Sequence, residues 1–330
     1  MTKKKYLLVT GAAGFIGSNM VEHLLKNTDY NIVGIDNFQN NEHKIYNKFI
    51  KRLLKNDRFV FFNVGFETLG SFGTSLKTDD FFYKNKIEVI FHFAATPRVS
   101  YSVQEPIKTN KNNITNSLTL LEWAKNNNVK RFVFSSSSSV YGDTTIYPTP
   151  EYSEKNPKSP YALQKYTIES YCKLYSNLYN LDTVCLRYFN VYGKNQYAEN
   201  AYATVICAWI KGFLTNTPIR LDGDGTQSRD FTYVTDICSA NLLVGLYNKK
   251  FKGKIFNVAG GNNYSLQQIL DLLTLTFGKH PKIIKQPSRA GDVNKTQADA
   301  SEIGKLGFKT KINLEKGLKQ TVNWYKKNEK

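Results

Sequence analysis

A chain of 330 residues with 41% hydrophobic residues, many of them Tyr and Phe, is long enough to bury a sizeable core, and its composition excludes disorder. Its formal charge of +18 comes from scattered Lys and Arg without a basic tail or arginine-rich run, so the charge describes a solvated surface that attracts an anionic substrate, not a nucleic-acid footprint. Cys172, Cys185, Cys207 and Cys238 form no CxxC pair and the four histidines are widely spaced, which excludes a metal-ligating pattern and implies a reducing, cytoplasmic compartment.

The opening Met1-Thr2-Lys3-Lys4-Lys5 before Tyr6-Leu7-Leu8-Val9 has the charge pattern of a signal peptide, but the glycines that follow mark a buried first strand. No apolar stretch reaches membrane-spanning length. In chain order the patterning predicts strands at Tyr6–Thr10, Asn31–Asp36, Phe59–Val64, Val89–Ala94, Arg131–Ser135 and Thr183–Tyr188. Helices are expected at Phe15–Lys26, Ile114–Asn126 and Tyr161–Tyr179. Doubly apolar strands alternating with helices mean a parallel sheet covered on both faces, hence an α/β, doubly wound, Rossmann-type fold. From Phe189 onward the loops carry Gly, Asn and Asp, and a helix is expected near Ser265–Phe277. A smaller α/β domain packed on the first, with a site in the cleft between them, fits this change. Asp230–Gly245 is expected to return to the first domain.

The first strand runs into Gly11-Ala12-Ala13-Gly14-Phe15-Ile16-Gly17, a GxxGxxG spacing. Gly11 permits a tight turn, Gly14 lets backbone amides approach a pyrophosphate at a helix N-terminus, and Gly17 lets the helix lie close to the sheet. Three glycines alone also describe an ordinary turn; their place between a strand and a helix favours dinucleotide binding. Asp36, 19 residues after Gly17, accepts both ribose hydroxyls and repels a 2′-phosphate, and Asn37 and Phe38 add no positive charge, so NAD is chosen over NADP. Asn63 is a further candidate for adenine contact.

Tyr161 and Lys165 stand at i and i+4 after Ser159-Pro160, so the phenol and the ammonium share a helix face. A phenol titrates near 10; an adjacent ammonium and an oxidised nicotinamide favour phenolate, and lowering it by about 3 units needs roughly 4 kcal/mol. The run Ser135-Ser136-Ser137-Ser138-Ser139 follows the fifth strand, at the edge where parallel sheets bind ligands, and places a hydroxyl to relay a proton to Tyr161.

Together these segments resemble the extended short-chain dehydrogenase/reductase family, specifically its NAD-dependent nucleotide-sugar epimerases and dehydratases. The motifs are GAAGFIG (11–17), HFAA (92–95), SSSSSVYG (135–142), SPYALQK (159–165), LRYFNVYG (186–193) and SRDFTYVTD (228–236), so the likeness spans nearly the whole chain. It implies Ser137, Tyr161 and Lys165 as the catalytic group. It assigns Phe15, Ile16, Asn37, Ala94 and Tyr188, with the residues above, to the cofactor. It places Arg98, Ser138, Asn190, Arg229 and Arg289 on the sugar-nucleotide side. Residues 1–187, with part of 230–257, would then bind NAD and 188–330 the nucleotide sugar.

The dehydratases carry Asp-Glu before VYG and the related decarboxylases an acidic residue; here Ser138 and Ser139 stand instead, which favours 4-epimerisation of a UDP-hexose. In Arg289-Ala290-Gly291-Asp292 the position four after Asp292 is a size gate in the epimerases, and its small Thr296 suits a 2-acetamido sugar. Gln196 and the Thr204 segment resemble the N-acetylhexosamine-accepting enzymes. The resemblance therefore implies UDP-GlcNAc/UDP-GalNAc, with UDP-Glc/UDP-Gal and the uronic acids as alternatives, and a homodimer through helices near 107–126 and 161–179. Lyase chemistry, free dehydrogenation and a non-enzymatic NAD-binding role are the competing readings. The segment 62–82 departs from the family pattern.

Overall fold

The computed structural model describes residues 3–39, 43–65, 76–197, 204–287 and 294–328. Six strands, β1 (Lys5–Thr10), β2 (Asn31–Ile35), β3 (Phe59–Phe62), β4 (Lys86–His92), β5 (Arg131–Ser137) and β6 (Asp182–Tyr188), form one sheet with a seventh, Lys254–Val258. The order is Lys254–Val258, β6, β5, β4, β1, β2, β3, and every pairing is parallel. This is the doubly wound Rossmann-type sheet expected from the patterning. Alternate residues feed its two faces: Leu7, Val9 and Val133 enter one buried cluster, and Leu8, Ile90, Phe132 and Phe134 the other. The chain direction across the sheet reverses between β1 and β4, so the loops after these strands part there and leave a crevice.

Several boundaries differ from expectation, and three elements show the local reason. β4 begins at Lys86 rather than Val89 because Lys86 pairs with Lys5 despite its polarity, and it ends at His92. Beyond it the Ala94 N–H turns to the Thr10 hydroxyl, 3.2 Å away. β5 extends to Ser137 because Ser136 and Ser137 keep their register with Arg187 and Tyr188 of β6. The helix expected from Ile114 starts at Asn116, after a π-helical turn at Lys111–Thr115. Asn113 in that turn accepts from the Thr96 N–H at 2.7 Å and donates to the Gln164 side chain at 2.8 Å.

Helix Pro160–Tyr179 begins where Ser159 accepts from the Ala162 N–H at 3.2 Å, with Pro160 at its first position, and ends at left-handed Asn180. Beyond β6 the chain builds helices Val205–Thr215, Leu266–Phe277 and Leu314–Asn328 and paired short strands, among them Ser228–Asp230 with Asn263–Ser265. It returns twice: helix Val234–Gly245 packs on helix Phe15–Asn27, and Lys254–Val258 joins the sheet beside β6. Part of the atypical segment, residues 66–75, lies outside the described residues. Its flanks are aromatic, with Phe81 packed edge-on against Tyr6 and Phe62 at ring distances of 5.0 and 5.1 Å. None of the described helices is long and apolar enough to cross a membrane.

Candidate active site

The glycine loop sits in the crevice between β1 and β4. Gly11 has a φ of +67°, and a Cβ there would stand 2.8 Å from the Ala94 nitrogen; at Gly17 it would meet the Gly11 carbonyl oxygen at 2.0 Å. The turn therefore needs both glycines. Helix Phe15–Asn27 starts at Gly14 without a side-chain cap and without an acid in its first turn, so its N-terminal amides and dipole suit an anion. Phe15 and Ile16 open that helix. Asp36 follows β2, and its carboxylate accepts from the Ala13 N–H at 3.0 Å and the Phe38 N–H at 2.8 Å. Burial raises the Asp36 pKa; hydrogen bonds from Phe38, Ala13 and Gly14 oppose it. Asn37 and Asn63 are exposed at the same sheet edge, after β2 and β3. A glycine cradle, an uncapped helix start and a carboxylate on its rim fit a dinucleotide.

Across the crevice, Ser137 closes β5. Its Oγ accepts from the Ser139 N–H at 3.2 Å and the Ser139 hydroxyl at 2.9 Å. Ser137 also acts on Tyr161, drawing the phenol down against the effect of burial. Ser138 lies in the same turn, Ser138–Tyr141. The Tyr161 N–H donates to Ser102 Oγ at 3.0 Å, which docks the start of the helix on the preceding segment. One turn on, Lys165 Nζ donates to the Ser135 carbonyl at 2.8 Å and stands 5.9 Å from the Tyr161 ring centroid. Burial pushes Tyr161 up to about 12 and Lys165 down to about 8. In the protein without cofactor, burial is the largest effect on the phenol and Ser137 opposes it.

Tyr188 ends β6 with its hydroxyl on Asn241, 3.0 Å away. Ala94 follows β4, and Arg98 starts helix Val99–Gln104 half-buried. The substrate-side candidates form two groups. Asn190 donates to the Asp230 carbonyl at 3.0 Å and to Thr296 Oγ1 at 3.1 Å, while Arg229 donates to the Ser228 and Asn294 carbonyls. These residues lie together along strand Ser228–Asp230. Gln196 faces elsewhere: its amide donates to the Val191 carbonyl and accepts from the Cys207 thiol. Thr204 is exposed before helix Val205–Thr215. Arg289 and Asp292 lie outside the described residues.

Sequence reasoning missed Asp230. Its buried carboxylate accepts from the Gly261 N–H at 3.1 Å and the Ala298 N–H at 3.2 Å, fastening the segment that carries Thr296. Burial pushes it up to about 7. Its only signal was its place in SRDFTYVTD. Glu169 and Arg187, a buried pair behind Lys165, were also missed.

The model of the NAD-dependent epimerase/dehydratase family matches residues 7–259. Three solved structures match over nearly their whole length. UDP-glucose 4-epimerase from Thermotoga maritima with UDP-glucose is 33% identical, with 98% of this chain and 100% of that chain covered and a TM-score of 0.87. UDP-N-acetylglucosamine 4-epimerase from Methanobrevibacter ruminantium, in complex with UDP-N-acetylmuramic acid, is 33% identical, with 99% of each chain covered and a TM-score of 0.87. UDP-glucuronic acid 4-epimerase from Bacillus cereus, in complex with UDP-glucuronic acid and NAD, is 32% identical, with 98% of this chain and 99% of that chain covered and a TM-score of 0.88. The extent of the match, together with the glycine cradle and the Ser137–Tyr161–Lys165 cluster, makes this chain a member of the NAD-dependent epimerase/dehydratase family.

Proposed function

We propose that the protein is a UDP-sugar 4-epimerase that interconverts UDP-GlcNAc and UDP-GalNAc and also accepts UDP-Glc and UDP-Gal. The observation that carries this reading is Tyr161 on the same helix face as Lys165 and beside Ser137 at the end of β5, with the hydroxyls of Ser138 and Ser139 where elimination would need carboxylates. Tyr161 takes the proton of the sugar 4-hydroxyl as a hydride leaves C4, and returns that proton to the 4-oxygen when the hydride comes back to the other face of C4; Ser137 holds that oxygen and relays the proton. A nicotinamide held in the crevice would accept the hydride in its oxidised form and give it back in its reduced form, and the oxidised form's positive charge would help draw Tyr161 toward phenolate. Lys165 steadies the phenolate and the nicotinamide ribose. Asn190 and Arg229, with Arg289, hold the diphosphate end while the keto sugar turns over. Residues 1–187, with the returning helix and strand, form the cofactor half in this assignment, and 188–330 the sugar half.

The uronic acids are the second reading. The glucuronic acid epimerase of Bacillus cereus matches as closely as the other two, and a chain of charge +18 suits a further carboxylate. Incubation with UDP-Glc, UDP-GlcNAc and UDP-GlcA, products resolved by NMR, tests both. Mass is conserved in epimerisation; loss of water or carbon dioxide, or stoichiometric NADH, would move the protein to another reaction class.

Thr296 supports the acetylated sugar through its size and its place beside Asn190. Thr296→Tyr should lower kcat/KM on UDP-GlcNAc about 100-fold, with a much smaller loss on UDP-Glc. Equal loss on both sugars would remove the gate. Exposed Val103 and Ile107, 61% and 86% accessible, with Leu163 at 52%, support a homodimer through these helices. The four free, buried cysteines support a cytoplasmic setting.

A further inference from the structure

Behind Tyr161 and Lys165 lies a second buried layer with no role in the scheme above. Four residues past Lys165 on the same helix, Glu169 forms a two-pronged ion pair with Arg187 of β6, Nε to Oε1 at 2.8 Å and Nη2 to Oε2 at 2.6 Å. Both side chains are fully buried, at 0% and 1% accessibility. Glu169 also accepts from the Ser136 hydroxyl, and Ser136 follows the residue whose carbonyl receives Lys165. Arg187 continues to the Tyr141 hydroxyl at 2.8 Å and the Glu151 carbonyl at 3.0 Å. The layer is thus joined to the end of β5, where Ser137 stands.

Its charges can be counted. Lys165 and Arg187 bring two positive charges and Glu169 one negative, all buried. At the half-buried rim, Lys155 donates to the Glu151 carbonyl, and their charges cancel. Asp299 and Glu302 act on Glu151 from outside. His92 of β4 is pushed down to about 3 and is neutral. The hydroxyls of Tyr141 and Tyr188 and the thiols of Cys172 and Cys185 complete the surroundings. One positive charge is left over, and a phenolate at Tyr161 is the group placed to balance it.

We propose that the Glu169–Arg187 pair sets the charge balance of the Tyr161–Lys165 pair: Glu169 keeps Lys165 an ammonium, and Arg187 keeps Glu169 from opposing the phenolate. The proposal rests on the reading of Tyr161 as the base. Tyr161 and Lys165 lose their protons as a coupled pair, so a change in surrounding charge moves both steps together. Neutralising Glu169 leaves two buried cations and shifts both to lower pH. Neutralising Arg187 leaves the carboxylate unopposed and shifts both to higher pH. A role confined to packing would not make the two shifts opposite.

The experiment is an NMR titration of NAD-bound protein carrying 13Cζ-tyrosine, with the Tyr161 signal assigned by its absence in Tyr161→Phe, beside the pH profile of kcat/KM. Glu169→Gln should move the titration down by about one pH unit and Arg187→Gln up by about as much, while the double variant stays near the parent. Glu169→Asp should keep the parent's midpoint even where kcat falls. Should a single variant fail to fold, Lys155→Met at the rim still decides, with an upward shift of a few tenths expected. Shifts in one direction, a displaced double variant or an unmoved Lys155→Met would each overturn the charge balance. The titration needs no sugar turnover: shifts without epimerisation would sink the proposed reaction and leave this layer standing, and epimerisation with unmoved titrations would do the reverse.

Discussion

Tyr161→Phe should retain bound NAD and lose turnover by about three orders of magnitude, the range expected when a general base is removed. The change deletes one hydroxyl from a ring at 9% accessibility. The helix keeps its Ser159 cap, Pro160, and the Tyr161 N–H bond to Ser102. Bound cofactor, read from the absorbance of nucleotide released on denaturation, should therefore match the parent, and the Tm should move by only a few degrees. The size of the kinetic loss follows from how hard the native site must work. Burial holds the phenol at about 12 even with Ser137 drawing it down, so ionising it at neutral pH asks roughly 7 kcal/mol of the bound cofactor's charge and Lys165. Turnover within tenfold of the parent would end Tyr161's candidacy.

Gly17→Ala should damage the fold and the cofactor site together. The new methyl would lie 2.0 Å from the Gly11 oxygen, 2.7 Å from the Gly11 carbonyl carbon and 3.0 Å from Ala12 Cα. All three are backbone atoms, so no rotamer relieves the clash, and the helix must back away from the loop it supports. A loss of about 3 kcal/mol or more is expected, seen as a Tm lower by roughly 5–10 °C, with NAD absent from the purified protein. Gly14→Ala is the contrast: its Cβ meets only the Gly11 oxygen, at 3.2 Å. It should fold nearly as well as the parent while binding NAD less tightly. Comparable melting of the two variants would show that Gly17 is not the close-packing position.

The parts of the site legible in the sequence were those whose chemistry is local. The glycine spacing, Asp36 at the end of β2, and Tyr161 one turn before Lys165 each depend on neighbours along the chain, and each lies where its spacing puts it. The strands were legible because a sheet buried on both faces needs continuous apolar runs. Long-range pairing was not: β5 runs on through Ser136 and Ser137 because β6 holds them, and nothing in a run of serines announces that. Nothing along the chain marks Asp230 or the Glu169–Arg187 pair as buried; the fold puts them there. The depth of the Tyr161 ring and the carbonyl that holds the Lys165 ammonium were not legible either, since spacing reports only that the two side chains share a helix face. The sugar-side residues came from resemblance. Of these, Asn190 and Thr296 gather beside strand Ser228–Asp230, which carries Arg229, whereas Gln196 is bonded to Val191 and Cys207.

The placement of Lys254–Val258 beside β6 has a consequence for how the molecule is made. β6 ends some seventy residues before its outer neighbour is synthesised, and until then it offers a row of unpaired amides and carbonyls to any passing strand. Helix Val234–Gly245, which covers the nucleotide-side helix, also arrives late. A gene fragment ending near residue 187 would encode every residue of the glycine loop and of the Ser-Tyr-Lys cluster, yet its product would carry an open sheet edge and an uncovered face. Ribosome-bound chains of intermediate length share that exposure until strand Lys254–Val258 and helix Val234–Gly245 have been made.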